Sequence, residues 1–194
     1  MNSRDDILSR IRANQPAPMP APEVPDFARA GEAQLLERFK AGVLRMGGKV
    51  VEAGGALEEL LRELHPKARV VASATSEVAG NRKLDARTDP ASLEDVDVGI
   101  VRARFGVAET GFVWITDADF KVSALGFLSQ HLVVLLDPAA IVPDMHHAYG
   151  RRAEFDAGYG VFMTGPSATA DIEGVLIHGA QGIRSLAVVF RPRG

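Results

Sequence analysis

Two stretches of the chain concentrate side chains able to do chemistry. The longer runs from Thr164-Gly165-Pro166-Ser167-Ala168-Thr169-Ala170-Asp171-Ile172-Glu173 through His178-Gly179-Ala180-Gln181-Gly182-Ile183-Arg184-Ser185. It sits between two apolar runs, residues 159–163 and 186–190, that read as strands. A connection that only joins strands needs neither this length nor this polarity. Polar groups gathered beside strand ends are how open α/β sheets usually carry their sites. The shorter stretch is Gly106-Val107-Ala108-Glu109-Thr110-Gly111, and the run after it, residues 112–116, is apolar on both alternate faces. That pattern predicts a strand buried on both sides.

The chemistry these residues suit is the binding of an anion. Backbone N–H groups of the turn led by Gly165, with the hydroxyls of Ser167 and Thr169, form a shape that accepts a carboxylate or phosphate. Arg184 can complete the clamp, with Gly179 and Gly182 shaping the chain around it. Asp171 and Glu173 repel an anion unless turned aside, so they either hold Arg184 or a ligand hydroxyl, or fill the first turn of a helix capped by Thr169. His178 ends a strand beside this loop; it can donate to a ligand oxygen or shuttle a proton, or be a satisfied strand-end histidine. Glu109 lies where the chain enters the core. A carboxylate there is either tuned by desolvation for acid–base or nucleophilic work, or paired with Arg102, Arg104 or Arg184. Glu109, Thr110 and Gly111 are expected to form the wall opposite the long loop, with Gly111 allowing close backbone approach.

Other chemistries find no support. No glycine run carries the lysine of a phosphate-binding loop, and Gly179-x-x-Gly182 is too short for a dinucleotide fingerprint. No Ser–His–Asp order or nucleophile elbow is present. Asp144, His146 and His147 are adjacent, but neighbouring histidines on a helix point about 100° apart, so a surface or capping role is expected and no metal set is singled out.

A length of 194 residues suits one sizeable domain with a small appendage. With 46% hydrophobic residues the chain can build a full core, and a net charge of −3 with no basic block argues against a nucleic-acid polymer as partner. There is no cysteine, which excludes disulfides, thiol catalysis and a self-ligated iron–sulfur cluster. No segment approaches the about 20 apolar residues that cross a bilayer, and the charged start lacks the apolar stretch of a signal peptide. A cytoplasmic protein without membrane insertion is expected.

Residues 1–30 read as an appendage. A short helix starts near Ser3 and carries Ile7, Leu8 and Ile11, and a linker with five prolines follows over residues 15–26. So short a helix must dock on the body or on a partner. From residue 31 onward the order is helix (35–44, stopped by Gly47-Gly48), strand (49–52), helix (56–64) and strand (68–72). It continues with strands at 97–101 and 112–116, a helix over 120–128, a central strand at 131–136, and a helix starting at Val142-Pro143-Asp144. This alternation predicts an α/β fold with an open, mostly parallel sheet flanked by helices.

The two motifs resemble a known family. Gly106-x-Ala108-Glu109-Thr110-Gly111 and Gly165-Pro166-Ser167-x-Thr169-Ala170-Asp171-Ile172-Glu173, with His178-Gly179 and Gly182-x-Arg184-Ser185 behind them, resemble the lactate utilisation protein C family, whose members carry the LUD domain. The likeness covers roughly Gln34 to Pro192, with Ile183 standing where that family usually has proline. It implies a fold similar to ribose-5-phosphate isomerase, glucosamine-6-phosphate deaminase and the CoA transferases. It also implies a part in oxidising L-lactate to pyruvate beside two partners, one a cysteine-rich iron–sulfur protein. The cluster would then belong to that partner, with no cofactor in this chain. A small carboxylate, nucleotide or phosphorylated ligand is expected at the 106–111 and 164–185 loops. By analogy with the CoA transferases, Glu109 is the candidate base or nucleophile of a free-standing enzyme; a ligand-sensing module is the further alternative.

Overall fold

The computed structural model describes residues 3–20, 22–23, 25, 34–52, 54–85, 87–170 and 174–193. Its spine is β6 (His131–Leu136), an apolar hexapeptide. Leu132, Val134 and Leu136 point into one core, and Val133 and Leu135 into another on the opposite face. A strand buried on both faces belongs in the middle of a parallel sheet, and β6 is there. The order is β1 (Lys49–Glu52), β11 (Ser185–Phe190), β6, β3 (Val98–Arg102), β2 (Val71–Ser73), with every neighbouring pair parallel. β1 and β2 therefore lie at opposite edges, and the parallel pairing suggested by their succession runs through three other strands.

Helix α3 (Leu57–Leu64) lays Leu57, Leu60 and Leu61 on the face shared by Val98, Ile100, Val133, Leu135 and Val189. Helix α2 (Leu35–Arg45) covers the other face with Phe39 and Val43, both fully buried. Gly47 stops α2 as expected. Its φ is +79°, its N–H reaches Leu44 O at 3.0 Å, and the N–H of Gly48 reaches Val43 O at 2.9 Å. This is the paired closure that a left-handed glycine allows.

A second sheet lies beside α2 and was not legible in the sequence. It has the order β7 (Ile141–Val142), β4 (Phe105–Val107), β5 (Phe112–Thr116), β8 (Gly160–Met163). β4–β5 and β5–β8 are antiparallel, and β4–β7 is parallel. β5 is buried on both faces as its sequence predicts: Val113 and Ile115 join the core under α2, and Trp114 joins an aromatic cluster on the far side. The predicted helix over 120–128 is two single turns, α4 (Asp117–Phe120) and α5 (Leu125–Leu128), interrupted at Lys121, whose φ is +60°. α6 (Met145–Gly150) follows β7, capped by Asp144, which accepts from the His147 N–H at 2.9 Å. That confirms the capping role expected for Asp144.

The amino-terminal helix, α1 (Ser3–Ala13), buries none of its residues, and Ile7 and Ile11 stay more than half exposed. The expected docking on the body is not seen. Among the described residues no helix is long and apolar enough to cross a membrane.

At the amino-terminal edge of the large sheet, the rings of His65 and His131 stack with centroids 4.4 Å apart. Burial, then the neighbouring His131 and Lys49, lowers His65 to about 4. An unfolded histidine titrates near 6.5. Above that pH both states are neutral, so the contribution to stability is complete. As pH falls from about 6.5 toward 4, the unfolded chain takes a proton that the native ring refuses, and stability is lost. The ring is only partly buried, so the loss is on the order of 1 kcal/mol. Urea titrations at pH 7, 6, 5 and 4.5 should show this slope, and His65→Gln should remove that component of it.

A second prediction concerns the backbone under α2. A Cβ on Gly111, whose φ is +75°, would stand 2.3 Å from Val43 N. Gly111→Ala should cost about 2–5 kcal/mol, combining overpacking with a left-handed alanine, as read from the urea midpoint.

Candidate functional site

Motif one is the β4–β5 connection. The N–H of Gly111 closes it onto Val107 O at 2.9 Å, and the Thr110 hydroxyl accepts from the Phe112 N–H at 3.2 Å. The N–H groups of Ala108 and Glu109 donate to Val142 O and Pro143 O, tying the turn to β7. Glu109 is exposed. One carboxylate oxygen, Oε2, accepts from the Met145 N–H at 3.2 Å, at the positive end of α6, and its carbonyl accepts from Arg45 Nη2 at 3.2 Å. Neither reading of Glu109 as a core carboxylate holds. It is exposed, no ion pair joins it to Arg102, Arg104 or Arg184 among the described residues, and Arg102 and Arg104 are committed to Glu77 and to Asp119 and Glu154. The reason is local: a turn between two antiparallel strands lifts its second residue away from the sheet.

Motif two leaves β8 and wraps the carboxyl end of α2. A Cβ on Gly165, whose φ is +62°, would fall 2.0 Å from Met46 O, and one on Gly47 would meet Pro166 at 3.3 Å. The loop is then drawn together by its own backbone. The Ser167 N–H donates to Ile183 O at 2.9 Å, and the Gly179 N–H to Ser167 O at 2.7 Å. Gly182, at φ +93°, brings its α-carbon against Ser167, where an added Cβ would lie 3.3 Å from the hydroxyl. Gly179, at φ +70°, packs on the stem of Arg184. Gly165, Ser167, Gly179, Gly182 and Arg184 therefore form one assembly.

Thr169 and His178 lie on a small ribbon, β9 (Ala168–Thr169) antiparallel to β10 (Ile177–His178). Thr169 is thus a strand residue opposite Ile177, not a helix cap. His178 is exposed at its strand end, as expected. Asp171 and Glu173 lie outside the described residues.

Two expectations change. The amide of Ser167, expected to face a ligand, is spent on holding the loop, as is that of Gly179, while the Ser167 hydroxyl and the exposed Arg184 side chain stay on offer. The wall facing the loop is also different. A cavity of about 390 Å³ runs along residues 163–167 and 181–183, and its other side is Met46, Phe112, Phe127 and Phe162. Glu109, Thr110 and Gly111 are not in that lining. The turn's contribution is indirect: it sets the start of β5, and so places Phe112.

Thr164 belongs to the same lining, and its hydroxyl is buried without a hydrogen-bond partner among the described residues. Burying an unpaired hydroxyl costs about 1–3 kcal/mol, so a ligand oxygen or water placed there would be welcome. Thr164 opens the motif in the sequence, but its type alone gives no sign of an unmet hydrogen bond. The aromatic side comes from segments that carry no motif. Among the described residues no group of three or more histidine, aspartate or glutamate side chains is arranged to hold a metal ion.

Because Glu109 is exposed and holds one helix-end amide, Glu109→Gln should change folding stability by less than about 1 kcal/mol, measured by chemical denaturation. A larger loss would mean the carboxylate is structural.

Comparison with known proteins bears on the whole chain. A family model described as the LUD domain matches residues 80–190. An uncharacterized protein of Neisseria meningitidis is 23% identical over 97% of this chain and 93% of its own length. Lactate utilization protein C of a Geobacillus species is 25% identical over 93% of this chain and 76% of its own. Lactate utilization protein C of Geobacillus thermodenitrificans is also 25% identical, over 96% and 79%. A crystal structure of a DUF162 family protein from Deinococcus radiodurans superposes with a TM-score of 0.62 over 83% of this chain and 98% of that one. At 16% identity it shows the shared fold. The likeness first visible in two motifs thus extends along most of the sequence, and the chain belongs to the LUD domain family.

Proposed function

We propose that this protein is a component of a lactate utilisation system. In this reading it is a subunit without a redox centre of its own in the oxidation of L-lactate to pyruvate. The Geobacillus relatives named lactate utilization protein C support the system. The absence of cysteine supports the division of labour, since this chain offers no thiolate for an iron–sulfur cluster and the electrons would leave through a cysteine-rich partner.

The loop at 164–185 is the proposed binding site for a small anionic ligand, whether carboxylate, nucleotide or phosphorylated compound. The observation that carries this is the Thr164 hydroxyl, without a partner among the described residues, in a cavity with one apolar side that Ser167 also lines, beside the exposed Arg184. Such a cavity suits a ligand with an apolar body and an oxygen-bearing end: the aromatic side removes the body from water while hydroxyls and a guanidinium meet the oxygens. The 106–111 turn serves the site by position and not by contact.

A thermal-shift screen against L-lactate, pyruvate, sugar phosphates, nucleotides and CoA tests the site. A ligand at a hundred times its Kd adds about 2.7 kcal/mol, enough to raise Tm by several degrees. Thr164→Val and Arg184→Ala should each reduce that rise, and a rise untouched by both would place the ligand elsewhere. The wider role is tested by deletion: the strain should fail to grow on L-lactate and the tagged protein should retain a cysteine-rich partner. Normal growth would overturn it.

A further inference from the structure

A second cavity, of about 360 Å³, lies at the amino-terminal ends of the parallel strands and shares only Ser185 with the two motifs. Lys49 opens β1, His131 opens β6 and Ser185 opens β11, while His65 and Lys67 reach it from the turn after α3. Parallel pairing brings these residues together: Ser185 and His131 are Cα partners in the β11–β6 ladder. Their side chains share a hydrogen bond, His131 Nδ1 to Ser185 Oγ, at 2.8 Å. The other imidazole nitrogen, Nε2, has no partner among the described residues, and the ring is held in place by its stack on His65.

The charges around this cavity are unbalanced. Lys49 and Lys67 line it, and Arg184, just before β11, acts on His131 as a positive neighbour. The one carboxylate in the lining is Asp97, and it is already occupied. Its Oδ2 accepts from the Arg69 N–H at 2.7 Å and the Val70 N–H at 2.9 Å, which also hold its pKa below the usual range. Both histidines have lowered proton affinity, His65 from burial, then His131 and Lys49, and His131 from burial, then Arg184 and Lys49, against the opposing pull of Asp97. A concave site with surplus positive charge, a hydroxyl and an idle imidazole nitrogen is short of one thing, a negative charge.

We propose that this cavity is an oxyanion site, taking a small phosphate or carboxylate between Lys49, Lys67, Ser185 and the free edge of His131. Occupancy draws a proton onto His131, because a negative charge beside the ring favours its charged form against burial and the nearby cations. The site is separate from the cavity along residues 163–167 and 181–183 and does not depend on the lactate reading. The Arg184–Ser185 step joins the two places along the chain: the stem of Arg184 packs on Gly179 of the loop assembly, and Ser185 lines this cavity.

The test follows histidine titrations by ¹H–¹⁵N NMR at constant ionic strength, with inorganic phosphate in one arm and L-lactate in the other. His146, outside the cavity and outside the 164–185 loop, serves as the internal reference. The expected result is that phosphate raises the apparent pKa of His131 by about one pH unit and leaves the reference unmoved. A matching effect of L-lactate shows that a carboxylate suffices; an effect of phosphate alone shows that the greater charge is needed. The Lys49→Ala/Lys67→Ala double variant, altered at two exposed positions, should lose the effect, and Ser185→Ala should weaken it. If neither anion moves His131, if chloride moves it equally, or if the lysine variant keeps the full response, the proposal is overturned.

Discussion

Helix α2 touches the rest of the molecule through bare backbone, and much else follows from that. At Gly42 and Gly111 two main chains meet so closely that a Cβ on either would stand 2.6 or 2.3 Å from a backbone nitrogen. One turn later Gly165 reaches the carbonyl of Met46 in the same way. Side chains tolerate crowding by changing rotamer, but backbone cannot, so these contacts set distances that the surrounding core must respect. The β4–β5 turn and the start of the 164–185 loop are thereby both fastened to one helix. Phe39 and Val43 of that helix in turn pack on the large sheet.

This arrangement gives the motif glycines two separate roles. Gly111 and Gly165 are required by the approach of α2, while Gly179 and Gly182 fold the loop back onto Ser167 and Arg184. The cost of a well-held loop is that the amides of Ser167 and Gly179 are occupied. What remains for a ligand is side-chain chemistry beside an aromatic side contributed by distant segments. The site therefore resembles a pocket completed by the fold more than a preformed anion nest.

Much of the fold could be read along the chain. The runs at 131–136 and 112–116 are apolar at successive positions, which only burial on both faces explains, and both strands lie where that requires. Gly47-Gly48 marked the end of α2, and Asp144 the start of α6, because capping is chemistry within one turn. The break at Lys121 was hidden, since the spacing of Val122, Leu125 and Leu128 fits a continuous helix. The second sheet was hidden for a related reason: strand periodicity reports which faces are buried and not which strand is the neighbour. The site shows the same division. The motif residues stood out by type, but their partners Phe112, Phe127 and Met46 are ordinary apolar residues.

The sequence by itself determined the α/β class, the central strands, the family likeness and the position of the polar loop along the chain. These rest on local pattern and residue type. Tertiary structure decided that β1 and β2 lie at opposite edges, that Glu109 faces solvent, and that Thr169 pairs across a ribbon. It also decided that Lys49, His131 and Ser185 share one cavity. Each of these depends on contacts between segments far apart in the chain, where the free energy of packing selects among partners that look alike from any single window of sequence. The loop that stood out first by its polarity is held by backbone and completed by aromatic rings, and neither feature is written in the residues of the loop.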